Sequence, residues 1–446
     1  MRRTYLITTF CCSMLLSSLS FAAGMSTHAY MADMGRKSLP EGPLKALLTL
    51  HRPSLIAGAI HPDGGYGSGA AFAEDRDMAE AAHWGDFTER YLDYLRDEKD
   101  NGRCAQEAKQ YQQRFLTEIP TAAVNVISIS EPCGKLIAFL FGNAAHGLTD
   151  ESWDSLFEPQ VRARGEDPNP LTILGTERGK AIGLTPRATL VAAIGQENYQ
   201  QLVNAFASSP QNALEYAGDI VGIVEHFLWL DIPIIETPPT TDLVEIYRNN
   251  RHLKAETVRP EAIERAHLIA RSAIKAERAA APIEITRIRE TMPWLHGNYF
   301  TGPGGVVDSG YMVGGMYQAW WNRLIDANRQ SDPAPTIVGH YPKNGQFAVP
   351  SRVTDPRFRL YAVMDRNLKP ASVTATSVKL IDEKGEVVPS KLSVGIYDRQ
   401  HTHLIRIEPL GNLLAKHTYT VVISPKVTDK LGMPLRKSFV WRFETE

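Results

Sequence analysis

The sequence predicts two folds in series, an all-helical domain over residues 23–330 and a β-sandwich over 336–446. Three observations carry this. Apolar residues recur at i, i+3, i+4 spacing through the first part, as in Phe87-Tyr91-Leu92-Leu95, Leu136-Phe139-Leu140 and Leu243-Ile246-Tyr247. The texture breaks at Gln330-Ser-Asp-Pro-Ala-Pro335, so 331–335 reads as a linker. Beyond it, short β-rich runs lie between turn residues.

Two further segments read as helices. Pro260 to Ala281 is rich in Ala, Glu and Arg with Pro at its start, and Val313 to Ile325 carries Trp320 and Trp321. Gly64–Ala73, Arg162–Pro170 and Asn298–Gly310 read as loops. The strand runs are Phe358–Met364, Ser377–Ile381, Leu392–Ile396, Leu404–Ile407, Tyr419–Ile423 and Ser438–Phe443, with a hairpin turn at Asp382-Glu-Lys-Gly385. Their alternation predicts an antiparallel sandwich.

The N-terminus has a sorting pattern. Arg2 and Arg3 precede an apolar run from Tyr5 to Leu16, then small residues, and Ser20-Phe21-Ala22 sets a cut after Ala22. Residues 1–22 therefore read as a signal peptide and the chain as secreted or periplasmic. The run is too short to span a membrane, and no later segment is long and apolar enough, so no transmembrane anchor is expected. Removing the leader takes Cys11 and Cys12 and leaves Cys104 and Cys133, which in an exported protein read as one disulfide; the alternative is two buried thiols. The 446 residues carry a formal charge of −2, with no basic footprint for duplex nucleic acid.

Metal-type ligands are scattered through the helical part: His28 in Ser-Thr-His, Asp63 in His61-Pro-Asp-Gly-Gly-Tyr66, His83 before Trp84, and His146 and Asp150 in His-x-x-x-Asp. The i, i+4 spacing puts His146 and Asp150 on one helix face, with Asp154 a turn further, and Glu215 and Asp219 repeat it. Taken singly, each is weak. The run Ala138-Phe-Leu-Phe-Gly142 and Ala144-Ala145 sets His146 and Asp150 on a buried surface, where ionisable groups need partners such as metal ions. His51 and His61 read as structural, and His401 and His403 as ordinary strand surface.

The order Ser-Thr-His28, Ala57-Gly-Ala-Ile-His-Pro-Asp63, His83-Trp84, Ala138-Phe-Leu-Phe-Gly142 leading into His146-x-x-x-Asp150-x-Ser-Trp153, and Ala217-Gly-Asp219 resembles the zinc-dependent phospholipase C superfamily. The likeness is strongest to the catalytic domain of glycosylphosphatidylinositol-specific phospholipase D, with fungal single-strand nucleases more distant. It runs from about residue 23 to 325 and implies an all-α, metal-dependent phospholipase C-like domain that cuts phosphodiesters with three divalent ions, principally Zn2+. By position it implies Asp63, His83, His146 and Asp150 around one zinc. Asp150 would bridge to a second ion shared with His28 and the amino-terminal residue Ala23, and Asp63 would also orient or deprotonate the attacking water. Asp154, Glu215 and Asp219 take the third site, where relatives have histidines at the first two positions. All-oxygen donors suit Ca2+, Mg2+ or Mn2+, and His226 is a candidate extra ligand. Tyr66, Trp84, Trp153 and Phe157 lie beside these residues and are candidates for substrate contact or for core packing.

The sandwich resembles bacterial Ig-like modules, carried by Pro342-x-Asn-Gly345, Val388–Val394 and Tyr419-Thr-Val-Val-Ile-Ser-Pro-Lys-Val-Thr-Asp429-Lys-Leu-Gly432. The expected function is a secreted phospholipase C acting at a phospholipid membrane surface on phosphatidylcholine-like lipids. A nuclease or phospholipase D of the same metal fold, and a non-catalytic adhesion or binding protein, are the alternatives.

Overall fold

The computed structural model describes residues 24–83, 85–118, 129–166, 188, 191–207, 210–225, 235–248, 250, 253, 257–326, 333–355, 357–395 and 402–446. The signal-peptide segment, Ala23, Trp84, His226, His401 and the start of the linker lie outside them. The helices are α1 (Met25–Ser38), α2 (Pro43–Leu50), α3 (Arg52–Ala71), α4 (Arg76–His83), α5 (Gly85–Asp93), α6 (Arg103–Glu118), α7 (Glu131–Ser152), α8 (Glu158–Arg162), α9 (Gln196–Ala207), α10 (Pro210–Glu225), α11 (Thr240–Arg248), α12 (Pro260–Thr291), α13 (Pro293–Asn298) and α14 (Val306–Ile325). A π-turn at Trp153–Phe157 follows α7 directly.

The segment read as a loop from Gly64 to Ala73 is helical as far as Ala71. Its glycines are there for contact. A Cβ on Gly64 would lie 2.5 Å from the Ala266 carbonyl oxygen, and one on Gly65 3.1 Å from the Ala79 Cα. Packing of α3 against α12 and α4 outweighs the low helix propensity of glycine. The loop read at Asn298–Gly310 likewise gives way to α14 from Val306. The helix beginning at Pro260 continues ten residues past Ala281 through Pro282.

The strands are β1 (Ile337–Tyr341), β2 (Gln346–Val349), β3 (Tyr361–Met364), β4 (Val378–Ile381), β5 (Ser390–Val394), β6 (Leu404–Pro409), β7 (Thr418–Ile423) and β8 (Phe439–Thr445). They form two four-stranded sheets, β1-β3-β6-β5 and β2-β8-β7-β4. The six expected runs all contain strands, and β1 and β2 are additional. Every pairing is antiparallel except β2 with β8, which is parallel. At the expected hairpin, Asp382 Oδ1 accepts N–H bonds from Lys384 and Glu386, and Gly385 has φ +87°.

Strand β3 explains how the two parts join. All four of its residues are buried. Ala362 and Met364 enter the sandwich core, while Tyr361 and Val363 join Leu404 in the helical core that holds Phe139, Leu148 and Trp320. A helical domain followed by a sandwich that is antiparallel apart from the β2–β8 pair is therefore the architecture. Within the helical part, Cys104 on α6 and Cys133 on α7 form the disulfide. In the chain-entropy model, closing that loop of 29 residues stabilises by roughly 3–4 kcal/mol.

Candidate metal centre

Two glycines let the site form. A Cβ on Gly58 would lie 2.1 Å from the Phe139 carbonyl oxygen, and one on Gly142 would lie 2.0 Å from that of Leu55. The backbones of α3 and α7 therefore touch, which brings Asp63 of α3 beside His146 and Asp150 of α7. His28 arrives from α1 and His83 from the end of α4. All five side chains are buried.

The ligand atoms converge. His146 Nε2 lies 3.1 Å from His83 Nε2. Asp63 Oδ1 lies 3.6 Å from His83 Nε2 and 3.8 Å from His146 Nε2, and Asp150 Oδ2 lies 3.8 and 3.5 Å from the same two atoms. A tetrahedral zinc with bonds of 2.0–2.1 Å sets its ligand atoms about 3.3 Å apart, so these spacings fit one ion. The second oxygens face elsewhere: Asp150 Oδ1 lies 3.0 Å and Asp63 Oδ2 3.7 Å from His28 Nε2. Asp150 thus divides its oxygens between two sets of imidazoles, the disposition a bridging ligand needs, and Asp63 does the same. His28, His146 and Asp150 form one trio of ligand-type atoms, and Asp63, His83 and His146 another.

Hydrogen bonds set two tautomers. Thr149 Oγ1 donates its only proton to the His146 carbonyl at 3.0 Å, so at 2.7 Å from His28 Nδ1 it accepts. His146 Nδ1 donates to the Ala59 carbonyl at 2.8 Å. In its neutral form each ring therefore turns a bare Nε2 toward the carboxylates, the arrangement typical of metal-ligating imidazole. Burial, helped by neighbouring His28, holds His146 well below the ordinary imidazole range, so it is neutral. Burial and then the neighbouring Asp150, Asp219 and Glu277 push Asp63 well above the usual carboxylate range. Neither Asp63 oxygen accepts a hydrogen bond from the described residues. A cation relieves both conditions.

The residues expected at the third site have surroundings of their own. Asp219 Oδ1 accepts from Thr27 N and Thr27 Oγ1, both at 2.6 Å, and the neighbouring Glu277 accepts from Ser26 Oγ. Burial and Glu277 raise Asp219. Glu215 is raised by burial and then by Asp154. Among the described residues, Asp154, Glu215 and Asp219 do not join either trio of ligand atoms.

Trp153 and Phe157 are stacked at 4.4 Å in the core with Tyr299 and Trp294, so they pack rather than offer a face to substrate. Tyr66 donates to Glu80 at 2.9 Å and sets its ring 4.0 Å from that of His83. His61 is structural: Nε2 meets Tyr247 Oη at 2.7 Å and Nδ1 meets His267 at 3.0 Å. His403, read as surface, is buried, with Nδ1 donating to the Met364 carbonyl. Glu277 carries no motif, and its one signal in the sequence is the stripe Ile263, Ala266, Ala270, Ile274, Ala281 of α12, which passes through it at spacings of three and four.

Fold and site together define a helical domain with a buried carboxylate–imidazole cluster of metal-ligand type, joined to an Ig-like sandwich. Residues 331–445 match the bacterial Ig-like domain family. The chain is similar to the phosphatidylinositol-glycan-specific phospholipase D of Bos taurus, 29% identical over 144 residues, and to that of Rattus norvegicus, 28% over 149 residues. Each match covers 31% of this chain and 14% of the relative. Among solved structures, domains 1–6 of surface layer protein SbsC overlap 83% of this chain and 45% of that one, at 12% identity and a TM-score of 0.20. The N-terminal part of SbsC overlaps 80% and 79%, at 10% identity and a TM-score of 0.20.

Proposed function

We propose that this chain is a metal-dependent phosphodiester hydrolase of phospholipids, working as an exported phospholipase C that cuts phosphatidylcholine-like lipids into diacylglycerol and a phosphorylated headgroup. The observation that carries the proposal is the buried group of Asp63, Asp150, His28, His83 and His146, with both carboxylates split between two sets of imidazole nitrogens. The partial similarity to mammalian phospholipases D supports a lipid phosphodiester as substrate. The leader-like N-terminus, the disulfide and the bacterial Ig-like domain support export.

Divalent ions of the zinc type, when bound, lower the pKa of water towards neutrality and neutralise phosphoryl oxygens. The chain's own residues supply the rest. Asp63 and Asp150 provide the negative charge that fits such ions, and Thr149 and the Ala59 carbonyl keep His28 and His146 in the ligating tautomer. Asp63 takes the proton of the attacking water as its oxygen bonds to phosphorus. The phosphorus–oxygen bond on the glycerol side breaks, and the departing alkoxide takes up the proton. Tyr66 braces the His83 ring. Ala23 belongs to this proposal as the amino-terminal ligand. Asp154, Glu215 and Asp219 belong to it as an oxygen-only third site suited to Ca2+, Mg2+ or Mn2+.

The relatives are named as phospholipases D, which favours a second reading, cleavage on the headgroup side. One experiment separates the readings. The purified protein is stripped by chelator, reloaded with zinc, and offered phosphatidylcholine, a glycosylphosphatidylinositol and single-stranded DNA. Diacylglycerol with phosphorylcholine supports the first reading, and phosphatidic acid the second. DNA cleavage without lipid cleavage refutes both.

A further inference from the structure

The sandwich meets the ligand-bearing helices at one corner. Glu151, the residue after Asp150, is buried, and its two oxygens accept backbone N–H bonds from His403 at 2.8 Å and Leu404 at 2.7 Å, at the start of β6. Bonds from backbone amides to a carboxylate are the stronger, charge-assisted kind. The helix that follows a second ligand-bearing element is braced at the same corner. Gly85, two residues after His83, lies so close to the sandwich that a Cβ there would meet Asn367 Nδ2 at 1.6 Å. Asn367 Oδ1 in turn accepts from Thr402 N at 3.0 Å and Thr402 Oγ1 at 3.1 Å, beside His403. Around this corner, Trp320 of α14 donates to the Asp365 carbonyl at 2.8 Å, and Lys430 pairs with Asp86. Leu404 itself is in the helical core.

We propose that the Ig-like domain is a working part of the metal centre, with Glu151 as the positioning residue that ties Asp150 to the sandwich. The inference rests on the metal reading above. A module that served only to dock the protein would need neither a buried carboxylate clamp one residue from a ligand nor a side-chain-free contact two residues from another. Successive helix residues are rigidly coupled, so a shift of Glu151 moves Asp150 with it. Asp150 has to hold both oxygens in place, which makes the cluster sensitive to that shift.

The test uses the full chain with Glu151→Gln and Glu151→Leu, and Lys343→Ala as control. Lys343 forms an exposed ion pair with Asp308 between the same two parts, away from the ligands. Metal affinity is measured by zinc competition, and ligand geometry by the visible spectrum of the cobalt-substituted protein. Glu151→Leu is expected to weaken metal binding by about 10–100-fold, as losses of outer-shell partners do, and to alter the cobalt spectrum. Glu151→Gln keeps the shape and one acceptor and is expected to fall between. Lys343→Ala is expected to match the unaltered protein. A Glu151→Leu protein with unchanged affinity and spectrum overturns the inference. If that variant does not fold, Glu151→Gln decides by the same criterion. Unaltered protein that binds no metal overturns the metal reading and this inference with it, whereas unaltered protein and variants that bind alike overturn this inference alone.

Discussion

Thr149 offers the sharpest test of the site, because one hydroxyl acts on two ligands. It donates to the His146 carbonyl and accepts from His28 Nδ1. Thr149→Val keeps the branched shape and removes both bonds. His28 Nδ1–H is then buried without its acceptor, a loss of about 1–3 kcal/mol. The alternative is for the imidazole proton to move to Nε2, 3.0 Å from Asp150 Oδ1, where it blocks the ligating lone pair. Either outcome weakens metal binding, by about 10–100-fold for an outer-shell partner, or about 1.4–2.8 kcal/mol. Zinc competition at fixed pH reads the affinity, and urea denaturation of metal-free protein reads the stability. Affinity within twofold of the unaltered protein would refute the tautomer argument.

Asp150→Asn is expected to lower bound metal by at least one ion per chain, read by mass spectrometry of the native protein; unchanged content removes the bridging role. Gly58→Ala puts a methyl 2.1 Å from the Phe139 carbonyl oxygen. Overpacking of this kind costs about 1–3 kcal/mol, and a urea midpoint equal to that of the unaltered protein would show that α3 and α7 are not in backbone contact. A further prediction concerns pH. Burial raises Glu277 from 4.5 to about 7, and raises Asp63 and Asp219 as well. Between these values the unfolded chain has released protons that the folded chain retains, so metal-free protein loses stability as pH rises from about 4.5 to 7. Metal-loaded protein, with cation charge set against Asp63 and Asp219 beside Glu277, is expected to show a shallower decline. Matching thermal-melt profiles with and without chelator over this range would contradict the assignment.

The sequence was most informative where chemistry and periodicity agreed. His146 and Asp150 share a face because their spacing is helical, and an apolar helix leaves that face nowhere to point but inward. The meeting of α1, α3, α4 and α7 was another matter. It depends on backbone contact at Gly58 and Gly142, and glycine in a single sequence reads as a break before it reads as a close crossing. The same ambiguity turned Gly64–Ala71 into an expected loop. The i, i+4 spacing sets Asp154 one turn beyond Asp150, whereas a π-turn begins at Trp153, and its i→i+5 bonding changes the helical phase. Among the aromatics, residue type could not separate a ring that braces a ligand, such as Tyr66, from one sealed in the core, such as Trp153. Strand β3 carried a legible hint. Four consecutive buried apolar residues signal a strand covered on both faces, and the second cover is the helical part.

The glycine crossing also gives a way to read other sequences. Gly58 stands five residues before Asp63 and Gly142 four before His146, so each contact point is at a fixed distance along its helix from a ligand. Two helices locked at that crossing can change nearly all their outward residues while keeping the ligands in register. A chain that retains Asp63 and His146 but carries a large side chain at either crossing position has the ligands without the proximity. Such a sequence would pass a search for the metal motif and still hold its carboxylate and imidazole too far apart to share an ion.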